Sequence, residues 1–157
     1  MIDLSSTPII LLVILGSVGV ALPVVNIAFK EKGSVLSYGA ITLAAMFGSI
    51  GYILYQLALD HVAPAAIFSA DVLVDDAFGA LFAIAMIIVA IFTTVGSFGY
   101  MKNKANPSIY FSLILLSTIG MVLVAYATDL VMLFIAWELM SIPTSVSYTH
   151  LTLPTKA

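Results

Sequence analysis

Five long apolar runs, separated by short polar breaks, account for most of the chain. They cover residues 8–29, 38–59, 77–100, 109–127 and 130–146. A helix needs roughly 20 apolar residues to cross a hydrocarbon core of about 30 Å, with tilt absorbing any excess. The first four runs meet that length and the fifth is the shortest. The pattern predicts an all-α integral membrane protein with five transmembrane helices.

The polar breaks carry nearly all of the charge, and its sign alternates from break to break. Lys30 and Lys32 flank Glu31 in the first break, and Lys102 and Lys104 lie in the third. Asp3 precedes the first run. Asp60, Asp71, Asp75 and Asp76 fall in the second break, and Asp129 in the fourth. Four of the five basic residues thus share one side, which the positive-inside rule makes cytoplasmic. The expected topology is multi-pass in the cell membrane, N-terminus outside, with the fifth helix running inward. The opening MIDLSSTP has no positive n-region and no small-residue cleavage site, so the first run is read as a retained span.

Composition narrows the chemistry. Apolar residues make up 62% of the chain and charged residues 8%, against about 25% charged in a soluble domain. Cysteine is absent, which excludes disulfides and thiolate ligation of iron–sulfur clusters. No basic surface suits a nucleic acid. His61 reads as a solvated loop residue, and the two histidines are too separated for a metal pair. Asp75 or Asp76 suits the N-cap of the third helix, and Thr128 or Asp129 that of the fifth. The stretch 68–75, FSADVLVD, alternates enough to suggest a short strand or hairpin.

Small residues suggest how the helices meet. Ala40, Ala44 and Gly48 recur every four residues and define one face for close approach. Gly96 and Gly99 are candidates for the same role. Pro23 lacks an N–H, so it leaves the carbonyl of Gly19 without its helical donor and predicts a kink.

One residue stands apart. Glu138 lies within the fifth run, nine residues past Asp129. At ~1.5 Å per residue that is ~13 Å, close to the midplane of the bilayer. A charge there costs roughly 2.5–3.5 kcal/mol on insertion scales, and such residues mostly handle protons or ions. Its neighbours at three and four residues are Phe134, Ile135, Ser141 and Ile142. The apolar three are expected to bury and desolvate the carboxyl. Ser141 adds a hydroxyl one turn on, and Pro143 frees the carbonyl of Leu139. Together these would hold ordered water and a short proton path. No basic residue lies inside any of the five runs. A counter-charge for Glu138 must therefore come from elsewhere, because buried ions persist when paired.

Two stretches, DVLVDDAFGALF (71–82) and SLILLSTIGMVLVAYATDLVMLFIAWELMSIPT (112–144), resemble the antiporter-like membrane subunits of respiratory complex I. The nearest form is subunit N of NADH:quinone oxidoreductase, or its counterpart in archaeal dehydrogenases that oxidise a reduced deazaflavin. The resemblance runs over about 68–144 and is most specific around Glu138. It implies a subunit of about fourteen helices built from inverted repeats, of which 1–144 would be the N-terminal part. It implies proton translocation coupled to electron transfer, with Glu138 binding the proton and pairing with a lysine on a later, broken helix. It also implies that this chain binds no redox centre. Quinone or a methanophenazine-like acceptor, flavin and iron–sulfur clusters would belong to partner subunits. The other membrane subunits, the quinone-reducing arm and the lipid bilayer are the expected partners.

After Thr144 the sequence SVSYTHLTLPTKA continues neither the helix pattern nor the family's, and residues 145–157 are read as non-native. His150 and Tyr148 then carry no functional weight. Two rival readings keep the same residues. One is a subunit of a multisubunit sodium/proton antiporter, which shares the glutamate but has no redox partner. The other is a membrane scaffold or assembly protein, for which Glu138 would be replaceable by Gln.

Overall fold

The computed structural model of the chain describes residues 6–29, 34–59, 73–102 and 106–147. Among them are five helices: α1 (Thr7–Phe29), α2 (Val35–Ala58), α3 (Ala77–Met101), α4 (Pro107–Tyr126) and α5 (Leu130–Ser147). The first four are long and apolar enough to cross a membrane, whereas in α5 the apolar part is shorter, Leu130–Pro143. Lys30, Glu31, Lys32, Asp60, His61, Asp71, Lys104, Tyr148 and His150 lie outside the described residues.

The helix ends follow from local chemistry. α2 starts three residues before its apolar run because Ser34 caps it, accepting the Ser37 N–H at 3.1 Å. α4 starts at Pro107, where a missing N–H removes no helical bond. Asp76 is the N-cap of α3, its carboxylate accepting the Gly79 N–H at 2.8 Å. The neighbouring Asp75 does something different. Its carboxylate accepts the Thr7 N–H at 2.8 Å and so serves the start of α1. For α5, the carbonyl of Asp129 accepts the Leu133 N–H at 2.9 Å.

The segment expected as a strand is described only from Leu73 onward. Leu73 forms an isolated antiparallel bridge with Ala127, and the Val74 N–H donates to the Tyr126 carbonyl at 3.0 Å. Its partner is the turn between α4 and α5, so no hairpin forms among these residues. These contacts bring the start of α1, the start of α3 and the α4–α5 turn to one end of the bundle. At the opposite end the Tyr38 hydroxyl donates to Asn26 at 2.9 Å, and Ser97 and Tyr110 share a hydrogen bond of 2.9 Å.

α4 is the hub. It packs against α1, α2, α3 and α5, and its Phe111, Leu115, Ile119, Val122 and Leu123 are buried. The interior also holds hydroxyls. Thr42, Ser49, Thr94, Ser97 and Thr118 are buried, and each donates back to a carbonyl four residues earlier in its own helix. Large apolar side chains such as Val20, Phe47, Leu81 and Phe92 point outward instead. A soluble bundle would hide them. A bundle in lipid gains nothing by doing so, because hydrocarbon tails solvate them as well as a core does.

The small-residue face of α2 is not where the described helices meet. Ala40, Ala44 and Gly48 are exposed, and a Cβ built on Gly48 would touch nothing within 4 Å. Gly96 and Gly99 of α3 are equally open. α2 instead turns Tyr38, Thr42, Met46, Ser49 and Ile53 inward. Spacing marks a face that another backbone can approach, but packing is decided by which face complements the neighbour. The close approaches occur at isolated glycines. Gly79 lies against Tyr126 and the carbonyl of Ala125, and Gly120 lies against the backbone of α5.

The carbonyl that Pro23 leaves without its helical donor finds one on another helix. The Gly19 carbonyl, which has no donor at residue 23, accepts the hydroxyl of Ser112 from α4. A serine on a neighbouring helix is one of the ways a broken membrane helix regains its hydrogen bonds.

Candidate functional site

Two stripes divide α5. Met132, Ala136 and Leu139 belong to the packed side, with Pro143 also buried. The spacing of three and four residues is that of one helical face. Val131, Phe134, Ile135, Glu138 and Ile142 form the other side and are exposed. α5 leans principally on α4, so this second side has no helix against it among the described residues.

Gly120 sets which side faces in. A Cβ on it would stand 2.6 Å from the Met140 nitrogen and 2.9 Å from the Ala136 carbonyl oxygen. The backbone of α5 therefore approaches α4 most closely at Ala136 and Met140. Ser117, one turn before Gly120 on α4, donates to the Met140 carbonyl at 3.3 Å. Glu138 is two residues from each of those contacts. At ~100° per residue it is turned ~200° from both, away from α4.

The carboxyl is consequently exposed in this five-helix bundle, where the sequence reading expected it buried. Phe134, Ile135 and Ile142 do share its face, but they are 65%, 52% and 54% exposed themselves and do not cover it. The hydroxyl expected beside the acid is engaged elsewhere, since Ser141 donates to the Glu138 main-chain carbonyl at 3.2 Å. Pro143 lies inside α5, which continues as helix to Ser147 and so passes into the stretch read as tail.

Among the described residues there is no cluster of three or more His, Asp or Glu side chains that could hold a metal ion. Two of the described acids, Asp75 and Asp76, instead work at helix ends, Asp75 at the start of α1 and Asp76 at the start of α3. Sequence reasoning missed Gly120, Ser112 and Ser117. All three are small residues of α4, and only the long-range pairing of α4 with α1 and α5 gives them meaning.

The fold and composition first define a class, a polytopic all-α membrane protein whose outward faces are apolar and whose fifth helix carries one acid. Comparison with known proteins then gives the kinship. The chain is similar to NADH-quinone oxidoreductase subunit N of Desulfitobacterium hafniense, 30% identical over 145 residues that cover 90% of this chain and 27% of that protein. It is 31% identical to NADH-quinone oxidoreductase subunit N 1 of Solibacter usitatus over 141 residues, 88% of the chain and 27% of the relative. F(420)H(2) dehydrogenase subunit N of Methanosarcina mazei is 36% identical over 69 residues, 44% of the chain and 14% of the relative. The chain is thus a homologue of subunit N of these oxidoreductase complexes, as the stretches around Asp75 and Glu138 suggested. It spans about a quarter of the length of the relatives it matches most fully. No family model matches the chain, and no solved structure matches it significantly.

Proposed function

We propose that the chain is part of a proton-translocating membrane subunit that couples electron transfer in an NADH:quinone-type or reduced-deazaflavin oxidoreductase to proton pumping. Glu138 is the proton-binding group. The observation that carries this reading is the position of that carboxyl, midway along α5 on an apolar face that α4 does not touch. Exposed to lipid alone, an ionised carboxyl near the midplane would cost several kcal/mol. The reading therefore places further protein on this face, with a lysine of a later helix as the counter-charge. Ser141 and Pro143 shape the helix on the far side of the acid and lie on the proton's way out of the midplane.

The electron carriers belong to partner subunits, and this chain contributes the membrane step. Its orientation follows the basic residues, with the Lys102 end cytoplasmic and the start of α1 outside. The names of the homologues favour this reading over a free sodium/proton antiporter. The decisive variant is Glu138→Gln in the full-length subunit, assembled in its complex. It should leave helix content and assembly intact and abolish, or strongly lower, redox-coupled proton pumping. Normal pumping by an assembled Gln variant would overturn the assignment.

A further inference from the structure

Among the described residues, the end of the bundle that gathers the starts of α1 and α3 and the α4–α5 turn holds three side-chain oxygens without hydrogen-bond partners. They are the Thr7 hydroxyl, the Asp75 Oδ1 and the Tyr126 hydroxyl, and all three atoms are buried. Thr7 and Tyr126 are each 1% exposed as whole residues. A buried hydroxyl or carboxylate oxygen left unpaired costs about 1–3 kcal/mol, so three at one place call for an explanation.

Their surroundings tie them together. The other oxygen of Asp75 already accepts the Thr7 N–H at 2.8 Å, so Thr7 and Asp75 are in direct contact through the main chain. The main chain next to Asp75 is hydrogen-bonded to Tyr126, Val74 N–H to Tyr126 carbonyl at 3.0 Å. The Tyr126 ring lies against Gly79 in the first turn of α3, where a Cβ would come within 2.7 Å of it.

We propose that Thr7, Asp75 and Tyr126 form a binding site for one ordered water molecule. The three groups complement water. Its two lone pairs accept the Thr7 and Tyr126 hydroxyl protons, and one of its O–H bonds donates to Asp75 Oδ1. Buried waters typically make about three hydrogen bonds to groups that would otherwise be unpaired. A hard cation fits less well, because calcium takes six to eight oxygens and this set offers three. The water ties α1, α3 and the C-terminus of α4 through one carboxylate, and Asp75 is thereby a positioning residue for the turn that leads into α5.

The test uses the full-length subunit in its complex. A density map that resolves ordered water should show a peak within hydrogen-bonding distance of all three oxygens. A map with the Tyr126 hydroxyl directly on Asp75 and no peak overturns the site. Thr7→Val and Tyr126→Phe remove one hydroxyl each without changing shape much. Each should lower the unfolding midpoint by a few degrees, and the double variant should fall no further than the worse single one, since either loss releases the shared guest. Strictly additive losses would mean that the two hydroxyls share nothing. A midpoint that rises with sodium at constant ionic strength would make the guest a cation and overturn the assignment of water.

Discussion

Replacing Gly120 by alanine should push α5 off α4, while the same change at Gly48 should not disturb the bundle. At Gly120 the new Cβ would lie 2.6 Å from the Met140 nitrogen, 2.9 Å from the Met140 Cα and 2.9 Å from the Ala136 oxygen. These are backbone atoms and cannot swing aside. Restoring an ordinary contact of 3.4 Å requires α5 to retreat by about 0.8 Å. Overpacking of this kind costs typically 1–3 kcal/mol. Alanine also favours a helix over glycine by about 0.8–1.0 kcal/mol, which would mask part of the loss if Gly120 were judged alone. Gly48 supplies the control, being mid-helix with nothing among the described residues within 4 Å of its Cβ position. The propensity gain cancels between the two variants, so their difference reports the packing, about 1–3 kcal/mol. Unfolding midpoints of the two full-length subunits, compared with wild type in the same detergent, give that difference. Under the proposed function, Gly120→Ala should also lower proton pumping with Glu138 intact, because the carboxyl moves with α5. Equal stability of the two variants would refute the close approach and, with it, the argument for where Glu138 points.

Ser112→Ala should destabilise the subunit by about 1 kcal/mol through the loss of the bond to the Gly19 carbonyl. In a Pro23→Ala background the same change should cost less, because residue 23 then supplies its own N–H to Gly19; equal losses in both backgrounds, measured by midpoint, would contradict the pairing. Asp76→Ala should cost roughly 0.5–2 kcal/mol by uncapping α3, with faster hydrogen exchange in its first turn as the readout. Gly39→Ala should be milder than Gly120→Ala, since the atoms met there belong to the ring of Phe98, which can turn aside.

The helices were legible because run length alone decides whether a segment can span. Their ends were less so, and a few polar residues moved them. Ser34 starts α2 three residues early, and Pro107 starts α4 two residues early. Glu138 could be found from sequence because an acid amid apolar residues is costly wherever it faces. Its facing could not be found. Helical periodicity says that Phe134 and Ile142 are its neighbours but not whether that stripe turns inward, and Gly120, eighteen positions earlier, decides the matter. The small-residue stripe on α2 shows the converse, a strong local pattern with no partner among the described residues. At Pro23 the freed Gly19 carbonyl was implied by one residue, but the hydroxyl that meets it comes from a position 93 residues away.

The geometry of α5 makes the direction of its acid unusually dependent on one neighbour. The other helices of the bundle each pack against at least two partners, whereas α5 rests principally on α4. A helix held on one side keeps its rotation only if the contact is specific to register. Slipping by a single residue would turn Glu138 by ~100°. Leucine-on-leucine packing alone tolerates such slips, because one apolar surface replaces another. The α4–α5 contact resists them in two ways. A glycine admits the α5 backbone at Ala136 and Met140, and the Ser117 hydroxyl holds the Met140 carbonyl one turn away. Both act within two residues of Glu138. The register of the helix is thus fixed most tightly where a small rotation would most change the surroundings of the carboxyl, which is what the proposed proton-binding role of Glu138 would need.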